Sequence, residues 1–433
     1  MKQLFLRTIV LGAALAAHLP SAFGQGYGTD SQNVMTPASG GMAGVSVAMP
    51  QDVPAAVFGN PSTLAQFHGT QFTLGGGWIE GYPAVTNNGV NNTQTQGQPF
   101  SATSRTQGFV ATEIGVAQDL RSLGLPGTLG LGVAGLSGLG AEYRGRVQEN
   151  AMLNSVSGEY MVLGVNVGAG VELTDQLSVG AAITLGTGFE QMGFGQIFGQ
   201  TFGSTAMVHD YALRATLGVD YDLNPYNTVG FYYQTKLGFT FPNAVVVPGV
   251  PEHYRDLSID QPETYGFGYA NRSLLDGNLL IAADVYYKLW ENAALWQDVF
   301  VNQWAFALGS QLTRGQNKFR LGYSYNTNPI NHNVGSLLAG FPVAQSQLQL
   351  FQAASTAAIN QHRITAGVGR QDILVQGLDL DLFAGGLLKA DDQFGNTTAS
   401  VAVYYIGLGL TWRYGACGGP CADSAGTYAP CSE

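Results

Sequence analysis

Histidines are few in this chain and widely spaced. Histidine is the side chain most often used to move protons in active sites. Beyond residue 24 the histidines are His68, His209, His253, His332 and His362. A catalytic site would need such a base beside a nucleophile or a pair of carboxylates, and the sequence shows no grouping of this kind. We therefore predict that the protein is not an enzyme and has no cofactor.

The three cysteines, Cys417, Cys421 and Cys431, lie together near the end of the sequence. In an oxidising compartment one disulfide could join two of them and leave one thiol. The CxxxC spacing is a weak pattern for a metal site because no histidine is nearby. We predict no metal site, and we interpret residues 415–433 as a small periplasmic tail.

A glycine-rich stretch contains the spacing GxGxxG at Gly130, Gly132 and Gly135. That spacing binds dinucleotides where it joins a strand to a helix. Here it lies inside an apolar stretch with no helical pattern after it, and Gly127, Gly138 and residue 140 continue the series. The glycines therefore indicate a strand with a weakened hydrogen-bond ladder, in which bulges or bends are permitted.

Composition indicates the kind of fold that must position these residues. The formal net charge of −11 argues against a nucleic-acid partner, because such proteins cluster Lys and Arg. Charged residues make up 11% of the chain, against about 25% in soluble domains. The chain also holds 60 Gly, 20 Tyr and 22 Phe. Low charge with much glycine and many aromatic side chains favours an outer-membrane barrel.

Residues 1–24 have the pattern of a secretory signal peptide. Lys2 and Arg7 form a positive start, residues 9–17 are apolar, and Ala22 and Gly24 supply small residues before a cleavage point. The apolar stretch is too short to cross a bilayer as a helix. We predict that residues 1–24 are a signal peptide and that the protein resides in the outer membrane of a Gram-negative bacterium.

Several long runs have an apolar residue at most second positions. The odd positions follow this rule from Leu177 to Phe189, from Tyr211 to Leu223 and from Val229 to Phe241. Period two indicates strands with one apolar face, and about 9–11 residues let a tilted strand cross a bilayer. The predicted strands are residues 70–80, 106–118, 127–140, 159–173, 177–190, 207–223, 228–241, 262–271, 278–290, 301–312, 317–325, 361–370, 376–389 and 400–414.

These strands predict an all-β fold, a 14-stranded antiparallel transmembrane β-barrel over residues 69–414. An even count suits a closed bacterial barrel, since closure removes unpaired edges that lipid cannot satisfy. Short connections alternate with long ones, as periplasmic turns alternate with outer loops. Charged residues fall opposite the apolar parity of their strands and should face the lumen, as at Glu172, Glu190, Arg214, Lys236, Asp284, Lys288, Asp379, Asp381 and Arg413.

Residues 25–68 precede the first strand and do not alternate. They are rich in Gly, Ser, Ala and Met. The segment is too long for a simple tail and too weakly patterned for barrel strands. We interpret it as an N-terminal hatch that plugs the lumen.

The hatch region resembles the start of the FadL-type outer-membrane transporters of long-chain fatty acids and other hydrophobic compounds. Small residues at 40–44, Asp52, and then Asn60, Pro61 and Ser62 lead into the first strand, where that family has Asn-Pro-Ala. Further similarities are the turn sequence at residues 173–180, Pro-Glu-Thr at 262–264 and Thr-Asn-Pro at 327–329. Their order and spacing cover nearly the whole chain up to residue 414.

The resemblance implies passive uptake of hydrophobic molecules. In that family outer loops capture the ligand, a pocket above the hatch receives it, and it leaves sideways where the third strand kinks inward. The implied ligand is a long-chain fatty acid or a related hydrocarbon. We also expect the protein to be a monomer that contacts outer-membrane lipid and the barrel assembly machinery.

We predict ligand capture by apolar side chains on two outer loops and a lateral gate at the glycines of the third strand. An anionic head group would bind to a positively charged residue in the lumen. Ion pairing inside the lumen is the competing interpretation for each basic residue, and a general porin or a structural barrel remains the alternative function. The predicted residues are Phe194, Ile197, Phe198, Phe202, Val245, Val246 and Val247 for capture; Gly130, Gly132, Gly135 and Gly138 for the gate; and Arg214, Lys236, Lys288 and Arg320 for an anion.

Overall fold

The computed structural model describes residues 35–89, 99–106, 108–147, 153–193, 196–197, 200–201, 206–246 and 254–414. Residues 1–34 and 415–433, which hold the predicted signal peptide and tail, lie outside this description. Fourteen long strands within the described ranges form one sheet. Labelled β1 to β14, they are Thr70–Gly81, Phe109–Asp119, Gly127–Glu142, Ser157–Glu172, Leu177–Gly193, Val208–Asn224, Asn227–Gln234, Thr264–Leu274, Leu279–Lys288, Gln303–Arg314, Asn317–Asn326, His362–Arg370, Leu378–Phe394 and Thr397–Tyr414.

The sheet closes on itself. Each strand pairs antiparallel with the next one in the chain, and β1 pairs with β14 from Thr70↔Tyr414 to Gly81↔Val403. Closure gives the backbone groups of both edge strands a partner, as the interior of a bilayer requires. The predicted 14-stranded all-β barrel is therefore confirmed.

The outward faces of the strands form an apolar belt. Ile183, Leu213 and Leu321 are each more than 60% exposed, as is usual for side chains that meet lipid rather than water. Bands of exposed aromatic residues border the belt, with Tyr221 and Tyr269 near the short turns and others near the long loops. Such a belt between two aromatic girdles is typical of an outer-membrane protein, and it confirms the predicted location.

The strand predicted at residues 228–241 is wrong in its second half. β7 ends at Gln234, and Leu237–Val246 instead pairs with Tyr254–Gln261 as a separate hairpin. Thr235 ends the ladder: the Ala215 amide donates to the Thr235 hydroxyl at 3.0 Å, while Arg214 Nε donates to the Thr235 carbonyl at 3.0 Å.

This hairpin turns into the barrel rather than continuing along its wall. Leu237, Phe239 and Phe241 are fully buried and pack over the luminal positions Gly186 and Gly188. Alternation could not separate the two cases, because an apolar face buried in a lumen has the same period as one that faces lipid.

The remaining connections carry short elements. Ala84–Asn87 pairs with Phe100–Thr103 and extends β14 beyond the barrel, and the helix Gln345–Ser355 (α2) lies between β11 and β12. Among the described residues no helix is long and apolar enough to cross a bilayer. The other short elements are the 3-10 helices Arg121–Leu123, Leu153–Ser155, Trp290–Asn292 and Trp296–Asp298 and the two-residue strands Gln196–Ile197, Gln200–Thr201, Leu337–Leu338 and Phe341–Pro342.

Candidate functional site

Residues 35–68, here called the luminal segment, lie inside the barrel and are almost entirely buried. The segment contains the 3-10 helices Ser39–Met42 and Pro61–Gln66 and the α-helix Val53–Phe58 (α1). Asp52 caps α1 by accepting from the Ala55 amide at 3.0 Å. The same carboxylate accepts from the amides of Ala38 and Ser39 at 2.7 and 2.8 Å, so one side chain fixes two turns of the segment. Burial raises the pKa of Asp52, and the three N–H donors oppose that shift.

The predicted motif Asn60, Pro61 and Ser62 ties the luminal segment to the wall. Asn60 Oδ1 accepts from the Ser62 amide and hydroxyl at 3.2 and 2.7 Å, which shapes the start of the following 3-10 helix. Asn60 Nδ2 donates to the Val47 carbonyl at 2.8 Å and to the Val219 carbonyl of β6 at 3.2 Å. The motif is therefore a structural anchor that joins two parts of the segment to one strand.

Polar residues on the luminal face of the wall hold the backbone of the segment. Asp284 of β9 accepts from the Ser46 and Val47 amides at 2.7 and 3.1 Å. The Thr365 hydroxyl of β12 accepts from the Ala43 amide at 2.8 Å and donates to the Gly41 carbonyl at 3.0 Å. Parity placed Asp284 in the lumen, but neither role was predicted.

The same pattern continues around the barrel. Asn166 of β4 donates to the Val57 carbonyl at 2.8 Å, and Gln234 of β7 donates to the Phe58 carbonyl at 2.9 Å. Arg121, in the turn after β2, donates to the Ala65 carbonyl at 2.8 Å and pairs with Glu172. These hydrogen bonds satisfy backbone groups that would otherwise be buried without partners.

Luminal glycines make room for the segment. A Cβ at Gly218 would lie 1.9 Å from Asn60 Oδ1, and one at Gly180 would lie 2.3 Å from Pro61. Because a real Cβ does not approach other atoms below 3.0 Å, these positions require glycine while the segment is in place. Similar contacts occur at Gly75, Gly77, Gly115, Gly170, Gly230, Gly268, Gly309, Gly322 and Gly409.

Two of the predicted gate glycines belong to this group. A Cβ at Gly130 would lie 2.8 Å from Leu64, and one at Gly132 would lie 2.7 Å from Phe58. Gly135 differs, because a Cβ there would meet nothing within 4 Å. Gly130 and Gly132 therefore pack against the luminal segment, whereas Gly135 has space beside it for a larger side chain.

The ladder of β3 is irregular just after these glycines. Gly135 pairs with Leu163 but Ser137 pairs with Val162, so Leu136 is an extra residue in a β-bulge. On its other side β3 pairs with β2 only from Thr128 to Ala134, although β2 continues to Phe109 along β1. We call this interruption, in the described residues, the β2–β3 break.

The β2–β3 break has defined borders. On the side nearer the short turn between β2 and β3, the last pair before the break is Glu113↔Ala134. On the far side, the Arg105 amide donates to the Glu142 carbonyl at 2.8 Å. Phe109, Ala111 and Leu136 beside the break are all less than 10% exposed, so its inner edge is apolar. Gly138 lies on β3 beside the break.

The outer half of the lumen is filled with apolar side chains from inward-folded loops. Trp296 stacks on Phe300 at 5.2 Å between ring centroids and meets Trp290 edge-on at 5.9 Å. Tyr160 of β4 lies 6.5 Å from Trp296 and 6.2 Å from Phe241 of the hairpin. One continuous hydrophobic cluster joins these residues to those of α1.

A small cavity lies within this cluster. Its volume is about 20 Å³, and its lining includes Tyr160, Met192, Ile259, Trp296 and Phe351. A volume of this size holds about one water molecule. An apolar ligand would therefore occupy this place by displacing loop side chains, of which Trp296 and Phe351 are the largest.

The predicted anion-binding residues do not converge on one site. Arg320 pairs with Asp381 at 2.5 Å and donates to Gln311 at 2.7 Å. Arg214 donates to the carbonyls of Thr235 and Pro262 at 3.0 and 3.4 Å.

The other two basic residues lie at the outer ends of strands. Lys236 lies between β7 and the hairpin, where it pairs with Asp260 at 3.2 Å and donates to the Asn292 carbonyl. Its side chain is 45% exposed. The prediction that Lys236 lies in a barrel strand and faces the lumen is wrong, because β7 already ends at Gln234. Lys288 ends β9 opposite Gln303.

The predicted capture residues are only partly within the described residues. Phe194, Phe198, Phe202 and Val247 lie outside them, and Ile197 belongs to the short strand Gln196–Ile197. Val245 and Val246 are half-buried near the tip of the hairpin, and Val245 packs against the hydrophobic cluster. Within the described ranges no group of three or more His, Cys, Asp or Glu side chains could hold a metal ion.

Comparison with known proteins relates this fold to that of outer-membrane channels. No protein-family model matches the chain, and no curated protein matches it. A FadL homologue from Pseudomonas aeruginosa superposes with a TM-score of 0.66 at 14% identity, covering 91% of this chain and 100% of the other. The toluene transporter TodX of P. putida gives 0.64 at 16% identity, covering 88% and 99%. The toluene transporter TbuX of Ralstonia pickettii gives 0.62 at 16% identity, again covering 88% and 99%. The chain therefore has the fold of FadL-type channels, as the sequence motifs predicted.

Proposed function

We propose that the protein carries hydrophobic molecules passively across the outer membrane. Outer loops capture the molecule, the apolar interior above the luminal segment receives it, and it leaves sideways through the β2–β3 break. The observation that carries this proposal is the continuous hydrophobic cluster from the outer loops to α1, with a cavity inside it.

Two further observations support the route. The luminal segment is anchored around the wall by buried hydrogen bonds, which favours a hatch that stays in place and an exit that avoids it. The β2–β3 break lies in the wall beside α1 and has apolar inner edges. Two of the structures with the same fold are named as toluene transporters.

The proposal is tested by comparing uptake of two solutes. Cells with an intact outer membrane, with and without the protein, are given a radiolabelled alkylbenzene and a radiolabelled sugar of similar mass. We expect the protein to accelerate uptake of the alkylbenzene and leave sugar uptake unchanged. Faster entry of the sugar, together with steady ion conductance in a planar bilayer, would instead support the porin alternative.

A further inference from the structure

Glu190 is a buried carboxyl group with no structural task among the described residues. It lies on the luminal face of β5 with 0% of its surface exposed. Neither of its two carboxyl oxygens has a hydrogen-bond partner. Asp284 and Asp381, also buried on the luminal face, instead hold backbone amides and Arg320.

The position of Glu190 is beside the cavity. Its partner across the sheet is Tyr160, which lines the cavity. Met192, two residues further along the same face of β5, lines it as well. In the opposite direction Gly188 lies under Phe239 and Phe241. Glu190 therefore lies between the aromatic pair of the hairpin and the cavity.

An unpartnered carboxyl group in apolar surroundings destabilises the folded protein. The cost is removed by a neighbour that donates a hydrogen bond, and a carboxyl oxygen accepts one whether or not the group is ionised. A ligand with one hydroxyl group and an otherwise apolar body matches both the lining and the acceptor. A fatty-acid carboxylate brings no donor and would place negative charge beside Glu190.

We propose that Glu190 accepts a hydrogen bond from the transported molecule, so that the preferred ligands are neutral hydroxylated compounds such as alkylphenols. This inference rests on the proposed function and names its substrate class. Tyr160, whose hydroxyl accepts from Gln261 at 3.0 Å, and Trp296 supply aromatic faces for the ring of the ligand. The side chains that must move to admit it are on connections between strands, Trp296 between β9 and β10 and Phe351 in α2.

The test compares three probes of similar size. The full-length protein in lipid nanodiscs is titrated with 4-propylphenol, propylbenzene and decanoate, with empty nanodiscs as background, and tryptophan fluorescence reports binding. We expect 4-propylphenol to bind about tenfold more tightly than propylbenzene, and decanoate to bind most weakly. The variant Glu190→Leu should lose this tenfold preference and keep its affinity for propylbenzene.

A folding defect is excluded by thermal unfolding. Glu190→Leu should unfold at the same or a higher temperature, because it removes an unpaired buried polar group. Asp391→Leu, at an exposed acid near the outer end of β13, is the matched control and should keep the preference.

Equal affinity for the phenol and the hydrocarbon, or a preference that survives in Glu190→Leu, would overturn the inference alone and indicate that water satisfies the carboxyl group. Tightest binding of decanoate would also overturn it. Failure of all three probes to bind would overturn the proposed function as well.

Discussion

Asn60 offers a direct test of how the luminal segment is held. Replacing it with alanine removes the donor to the Val47 and Val219 carbonyls and the acceptor for Ser62; the bonds to Val47 and Ser62 are buried and the bond to Val219 is partly buried. A buried backbone group left without its partner costs about 1–3 kcal/mol. The three losses share one side chain and are not independent, so we expect about 3 kcal/mol in total for Asn60→Ala.

The assay combines stability with conductance. Thermal unfolding followed by circular dichroism should show a lower transition for Asn60→Ala, and the protein in a planar bilayer should open to ions more often because the segment detaches. Asn278→Ala is the matched control, since Asn278 also donates to a backbone carbonyl, Leu275, but does so in an exposed turn. The reasoning is refuted if Asn60→Ala unfolds and conducts like the control.

Three further substitutions probe the wall and the interior. Thr365→Val keeps the shape but removes the hydroxyl that serves Gly41 and Ala43, and it should lower stability by about 1–2 kcal/mol in thermal unfolding. Arg320→Met should cost about 3–5 kcal/mol by leaving Asp381 unpaired, and the double variant Arg320→Met/Asp381→Leu should recover most of it; equal stability of the single and double variants would contradict this. Trp296→Ala should cost about 3–5 kcal/mol and admit larger apolar ligands, measured by the longest alkylbenzene that binds.

The barrel could be predicted because each strand shows the alternation of side chains that its surroundings impose. Lipid outside and a narrow lumen inside impose period two, and the long runs from Leu177 and Tyr211 match β5 and β6. The inward hairpin could not be predicted, because the end of β7 depends on a long-range contact between Thr235 and Ala215. Such a contact leaves no mark on local alternation.

The luminal site was predictable in part. Parity placed Glu190, Arg214 and Asp284 on the luminal face, and all three are buried there. What each side chain does depends on which hatch or loop atom lies opposite, and sequence spacing does not carry that information. The glycines of β3 illustrate this: Gly132 packs against Phe58, whereas Gly135 meets open space.

In the proposed route the hydrophobic molecule leaves sideways through the β2–β3 break. Uptake of a radiolabelled alkylbenzene by cells carrying Gly135→Trp tests this route most directly, because Gly135 lies at the edge of the break and a Cβ there would meet no atom within 4 Å. Leu131→Trp is the control, because strand alternation puts it on the same lipid-facing side of β3 as Gly135 but four residues away from the break, where Leu131 is 43% exposed. We expect Gly135→Trp to assemble normally and lose most of its uptake, while Leu131→Trp keeps wild-type uptake. Wild-type uptake by an assembled Gly135→Trp barrel would contradict the lateral route.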